Sequence, residues 1–326
     1  MKKFLFILIV LVVLSPKVNA QNYAEEHYQF DSIYKTIEGY YNRGLYFKAA
    51  QLPEKLKDNR YVNASVHFFF ARVYSLSNEF DKTLFSLKNA VERGISKEYI
   101  NQMYDLDNFR KSNLNVIFES SYPSWHQTYL DKRLTLDSNY IKEIRTIRQR
   151  YKADLKMKDI DGNEVVEIKD SLNFYKIKNK FDSLCFNSVV NLTLERGFPI
   201  KKKIGRDYYW YSSILRYNMP VSYDVNTKDW LKIKKMINSE MQKGTVLPYY
   251  YAAIEDNKRV SRKKPQLYGT TLIVYSGNKD VSHLLEFENP EELNLRRKSV
   301  GLCSIQLELW SKARELPESL KNVEFK

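Results

Sequence analysis

Hydrophobic and polar positions follow a helical period along most of the chain, which predicts a mainly α protein. Between Ser32 and Gly94 the buried-type positions are Ile33, Ile37, Tyr40, Gly44, Tyr46 and Ala49, then His67, Ala71, Tyr74, Asn78, Phe80 and Thr83. Each member of the first set stands 34 residues before its counterpart. The pattern predicts two helical hairpins, the second carried on by Leu84, Leu87 and Ala90 until Gly94 stops it. Two such units bury too little surface alone. Ile95–Phe118, with Ile100, Met103, Tyr104, Phe109, Leu114 and Ile117, is therefore the expected cap. Pro123 and Trp125 in Ser120–Thr128 predict a break in the helical pattern and a domain boundary. Beyond it, Thr135–Ser138 opens a helix striped by Ile141, Ile144, Ile147, Tyr151 and Leu155.

A 34-residue period with small residues where two helices close on each other resembles the tetratricopeptide repeat. Two positions depart from it: Pro53 replaces a large apolar residue of the second helix, and Asn78 replaces the turn glycine. A plain pair of helical hairpins is the other reading. The resemblance implies a protein partner held by the repeats.

The C-terminal half reads as helices with one small β-hairpin. Ser171–Arg196 ends at Gly197 before Phe198-Pro199, Asp207–Tyr217 is aromatic-rich, Gly244 closes Lys228–Lys243, and Pro248 opens Tyr249–Asn257. Leu267–Tyr275 and Val281–Phe287 are rich in strand formers and flank the turn Ser276–Lys279, which predicts a hairpin over about 266–288. On alternating strand positions Gln266, Tyr268 and Thr270 share a face. Asn289-Pro290-Glu291-Glu292 predicts a capped helix start, and the helix behind it carries Arg296 and Arg297 up to Gly301. Asp159–Asn163 looks like the start of a calcium loop. It lacks the closing glutamate and has its glycine at the fourth position, so a turn is expected and no metal.

Met1-Lys2-Lys3, the apolar run Phe4–Leu14 and Val18-Asn19-Ala20 predict a signal peptide over 1–20, cleaved before Gln21. The expected divisions are thus 1–20 leader, 21–120 repeat region and 121–326 helical domain with the embedded hairpin. No later run is long and apolar enough for a transmembrane span. The address implied is exported, periplasmic or secreted. Formal charge is +14 over 326 residues; an exported basic protein meets anionic envelope ligands, and nucleic acid is not expected as a partner. Cys185 and Cys303 are the only cysteines, each in an apolar helical setting that favours a buried thiol over a bridge. His27, His67, His126 and His283 stand isolated, which argues against a histidine metal site. No cofactor is implied.

Arg196-Gly197-Phe198-Pro199 through Gly205, then Asp256, Pro265–Thr270 and Arg296-Arg297 with Gly301-Leu302, resemble an uncharacterised bacterial domain of unknown function over about 151–310. Its pattern is Gly-Trp-Pro, Asp-Arg, Gln-x-Tyr-Gly-Thr-Gln and Arg-Arg-x-x-x-Gly-Leu. This chain departs at Arg216-Tyr217, where the family pattern has Gln-His, at Asn257 and at Thr271. The candidate binding residues are Asp256, Gln266, Tyr268, Thr270, Arg296 and Arg297, expected to converge on an anion. Two readings follow. One is a non-catalytic binding or scaffold protein of the cell envelope. The other is a hydrolase-like envelope enzyme using Asp256 as acid or base, with Gln266, Tyr268 and Arg296 holding substrate.

Overall fold

A computed structural model describes residues 23–133, 135–154, 185–205, 207–222, 228–270 and 286–326. The helices are α1 (23–42), α2 (Tyr46–Ala50), α3 (Ala64–Leu76), α4 (Phe80–Val91), α5 (Lys97–Asn101), α6 (Asp107–Arg110) and α7 (Leu114–Arg133). They continue as α8 (Ser138–Asp154), α9 (185–196), α10 (Lys201–Ile204), α11 (Asp207–Ser222), α12 (Lys228–Gln242) and α13 (Pro248–Val260). Two more, α14 (Leu293–Ser299) and α15 (Ile305–Ser311), follow near the end. The chain is mainly helical, as its periodicity predicts. It divides into one unit running to Thr135 and completed by Asn289–Lys326, and a second unit, Leu136–Glu288, inserted between them. The predicted leader, the calcium-like turn Asp159–Asn163, His283 and the body of the hairpin, 271–285, lie outside the described residues.

In the first unit the two helix ends that the 34-residue spacing marks are built alike. Gly44 donates to Tyr41 O at 3.0 Å and Leu45 to Tyr40 O at 2.9 Å; Asn78 donates to Ser75 O at 3.1 Å and Glu79 to Tyr74 O at 2.9 Å. Both turns need left-handed backbone, φ 71° at Gly44 and 61° at Asn78, a conformation that asparagine tolerates better than other side-chain-bearing residues. The likeness stops at the following helix. α2 has five residues, and Pro53 opens a 3₁₀ turn, Pro53–Leu56, where α4 runs on for twelve.

The expected cap exists in altered form. Ile100, Leu106, Phe109 and Phe118 close a core with Phe68, Ala71, Leu87, Ala90 and Val91, and Met103 and Leu114 pack against it. Tyr104 and Ile117 instead face solvent. The break expected at Ser120–Thr128 does not occur, since α7 runs through Pro123. A proline costs a helix one hydrogen bond and a local clash. Here Phe118, Tyr122, Trp125, His126 and Tyr129 make a continuous run of ring contacts along α7 that holds the helix across it.

The other end of the array is closed by the C-terminal segment, Asn289–Lys326, which belongs to this first unit and not, as the expected boundary at 120/121 has it, to the second domain. Residues 298–311 follow α1 side by side. Lys298 meets Glu25 at 3.7 Å, Gly301 O meets His27 Nδ1 at 2.6 Å, and Cys303 N–H donates to Asp31 at 2.8 Å. Lys35 pairs with Glu308 at 3.3 Å, and Asn42 donates to Ser311 O at 2.7 Å. Gly39 lets the Trp310 ring lie on the α1 backbone: a Cβ there would stand 1.9 Å from it.

In the second unit Asp137 caps α8, its Oδ1 accepting from Tyr140 N at 2.9 Å. The buried faces of α8, α9, α11, α12 and α13 supply the apolar core, among them Tyr140, Ile144, Val189, Tyr211, Ile214, Ile233, Ile237 and Ile254. Tyr211 hydrogen-bonds Thr193 and Val189 O inside it. The two ends of the expected hairpin meet in one isolated bridge, Gln266 with Phe287, and its pairing is parallel. Gln266 N donates to Glu286 O and Glu288 N to Gln266 O. A simple hairpin closing at these residues would pair them antiparallel. At this described point the expected hairpin is therefore not formed.

Candidate functional site

The six candidate residues fall into two groups, one in each unit. In the second unit, Asp256 projects from α13 and is fully buried. Its Oδ1 accepts from Leu267 N and Tyr268 N at 2.8 and 2.9 Å; its Oδ2 accepts from Thr270 N and Oγ1, both at 2.7 Å. Four donors converge on one carboxylate because Gly269, at φ 70°, turns the chain back on itself. Burial pushes the Asp256 carboxyl above the ordinary aspartate range, and the four donors work against it. Gln266 and Thr270 are buried beside it, and Tyr268 is half-buried. Arg259, one turn further along α13, pairs with Glu288 and donates to Pro265 O. The Pro265–Thr270 motif is thus a loop wrapped around a buried acid and tied at both ends.

In the first unit Arg297 is almost wholly buried on α14. Its Nε donates to Cys303 O at 2.6 Å, and its guanidinium faces Glu308 at 3.6 Å. Arg296 is half-buried, near Glu292 at 3.7 Å and donating to Asn289 O at 3.2 Å. Asn289 makes no side-chain cap; it adopts left-handed backbone at φ 40° and leads into a 3₁₀ turn. Gly301 stops α14 at φ 83° and lies on Ala24 and His27. The Arg-Arg-x-x-x-Gly-Leu residues therefore seat the C-terminal segment on α1.

Around Arg297 lies a buried ionic network invisible to motif reading. Asp31, Cys303 and Glu308 bring ligand-type atoms within 4.8 Å of one another. Lys35 and Arg297 already pair with Glu308, Asp31 accepts from the Cys303 N–H within the field of Lys35, and Glu38 and Lys312 extend the chain of pairs. Burial opposes the Lys35 ammonium, yet Glu308, Glu38 and Asp31 together raise its pKa above the ordinary lysine value. Burial, with the Asp31 charge, pushes the Cys303 thiol up, so it stays protonated. With charge balanced by side chains and the sulfur neutral, the donor set does not call for a cation. Cys185 and Cys303 are both free and buried. The sequence signal for the network was limited to Asp31, Lys35 and Glu38 recurring at helical spacing on α1.

A second cluster also escaped the motif search. Glu255 takes Lys234 at 3.0 Å and Lys258 at 3.8 Å, while Tyr251 and Trp230 lie under the two ammonium groups. Burial lowers the Lys258 pKa, with Lys234 and Arg262 adding repulsion against the attraction of Glu255. Of the described histidines, His67 packs in the helical core and burial lowers its pKa to about 4. His27 is likewise lowered, first by burial.

A shallow 630 Å³ depression between α8 and α9 is lined by Asn139, Glu143, Thr146, Asn191 and Glu195 and crossed by the Arg196–Glu143 pair. No described helix is long and apolar enough to cross a membrane. Comparison of the chain with family models, curated proteins and solved structures gives no match.

Proposed function

We propose that this is an exported, non-catalytic binding protein of the cell envelope, its helical hairpins serving a protein partner and its inserted unit an anionic ligand. The observation that carries the second half is the distribution of charge. Leu136–Glu288 holds 28 Lys and Arg against 19 Asp and Glu, a surplus of nine. The rest of the chain past residue 20 holds 22 against 20. A surplus confined to one compact unit produces a local positive field that draws in anions.

The hydrolase reading asks Asp256 to exchange protons with a substrate. Its oxygens are instead occupied by four donors in a fully buried setting. A general base has to reach the proton it removes, which favours binding over catalysis. The tetratricopeptide-like reading draws its support from the matched turns at Gly44 and Asn78 and from the apolar side chains Phe47 and Phe85 left at the surface.

Titration of the chain with poly-glutamate at low ionic strength tests the anion reading. Binding that weakens steeply as salt rises is expected; no binding at low salt would overturn it. For the address, mass spectrometry of the expressed full-length chain should find Gln21 at the N-terminus, and retention of Met1–Ala20 would refute export by cleavage.

A further inference from the structure

The outward side of α12 carries charge of one sign. Trp230, Ile233, Ile237 and Met241 face the core. At 100° per residue the exposed positions Lys228, Leu231, Lys232, Lys235, Ser239, Gln242 and Lys243 fall within an arc of about 120°. No carboxylate lies in that arc, since Asp229 and Glu240 project to its side. Lys243 is held by Glu240 at 2.7 Å. Lys228, Lys232 and Lys235 have no ion-pair partner among the described residues, and they rise about 10 Å along the helix. Leu231 stands among them, 49% exposed. Burial of the helix's apolar side has left a convex ridge of ammonium groups that no described carboxylate meets.

We propose that this ridge docks the inserted unit onto an anionic lipid bilayer, which deepens the anionic-ligand reading above and rests on it. Shape and charge together select the partner. A convex helix offers no walls to enclose a small anion, whereas a flat charged surface touches it along its length. Three exposed lysines on one line can all reach headgroup phosphates at once, and their aliphatic stems with Leu231 suit the headgroup boundary. A lysine at an anionic bilayer surface strengthens attachment about fivefold. Attachment is therefore peripheral, reversible and sensitive to salt.

The test uses the chain from Gln21 onward, co-sedimented with phosphatidylcholine vesicles with and without phosphatidylglycerol. A Lys228→Gln, Lys232→Gln, Lys235→Gln triple variant is compared with a charge-matched control, Lys48→Gln, Lys88→Gln, Lys111→Gln, taken from exposed lysines of the first unit. Expected are binding only to the anionic vesicles, a loss of about a hundredfold in the ridge variant, and a far smaller loss in the control. Equal losses in both variants would overturn the ridge as the contact. Binding to poly-glutamate without binding to anionic vesicles would overturn the lipid assignment and leave the anion reading standing. Failure to bind either would sink both. Circular dichroism of the variants should match the parent, since these lysines touch nothing whose loss unfolds the unit.

Discussion

The two units spend the same residue types in opposite ways. In the first, Lys35, Arg297 and Lys312 gather with Asp31, Glu38 and Glu308, three charges of each sign, along the joint between α1 and the C-terminal segment. In the second, Lys228, Lys232 and Lys235 of α12 are exposed and meet no acid among the described residues. The difference teaches that a basic composition says little until each charge is assigned a neighbour. A buried charge must be compensated and then becomes structural; a free surface charge adds almost nothing to stability and is available to a partner.

The contrast can be broken most sharply at its buried end. Replacing Asp256 with Ala leaves three backbone N–H groups and the Thr270 hydroxyl without their acceptor. A loss of about 3–5 kcal/mol is expected in urea unfolding, and a change below 1 kcal/mol would show that the loop does not depend on that acid. Next in size, Gly39→Ala drives a methyl into the Trp310 ring and should cost about 1–3 kcal/mol. Its effect should be relieved in a Gly39→Ala, Trp310→Leu double variant, which thermal melts can check.

Smaller still is a pH effect from the first unit. His67 has its folded pKa at about 4, below the unfolded value near 6.5. A depressed folded pKa means that the unfolded chain takes the proton first. The stabilising contribution is whole above about pH 6.5 and is lost as pH falls toward 4. His27 shifts in the same direction. Unfolding midpoints should decline across that window, and His67→Leu should flatten the decline. At the small end, Lys232→Gln on the ridge should alter stability by less than about 0.5 kcal/mol while weakening attachment to anionic vesicles.

Much of the architecture was legible because helix stops are local. Gly44, Asn78, Gly94, Gly244 and Gly301 end helices where the pattern put the ends, and their positive φ values explain why. Asp137 and Pro248 open helices for equally local reasons. What escaped was non-local. Pro123 looks like a breaker until the rings beside it are known to touch one another along α7. That 289–326 returns to α1 depends on contacts more than 270 residues apart in sequence, which no periodicity records. For the candidate site, residue type drew attention to Asp256 and Arg297. Their spacing could not say that Asp256 and Arg297 are buried in different units with partners of their own.

The central claim is that Asp256 and Arg297 hold the fold together and that anion capture belongs to exposed lysines. One paired measurement tests it most directly: the urea midpoint and the poly-glutamate affinity of Asp256→Asn and Arg297→Lys, each at a temperature where the variant is still folded. The account predicts midpoints clearly below the parent and affinities within about twofold of it. Parent-like midpoints with lost affinity would contradict it, and would return those residues to a binding site.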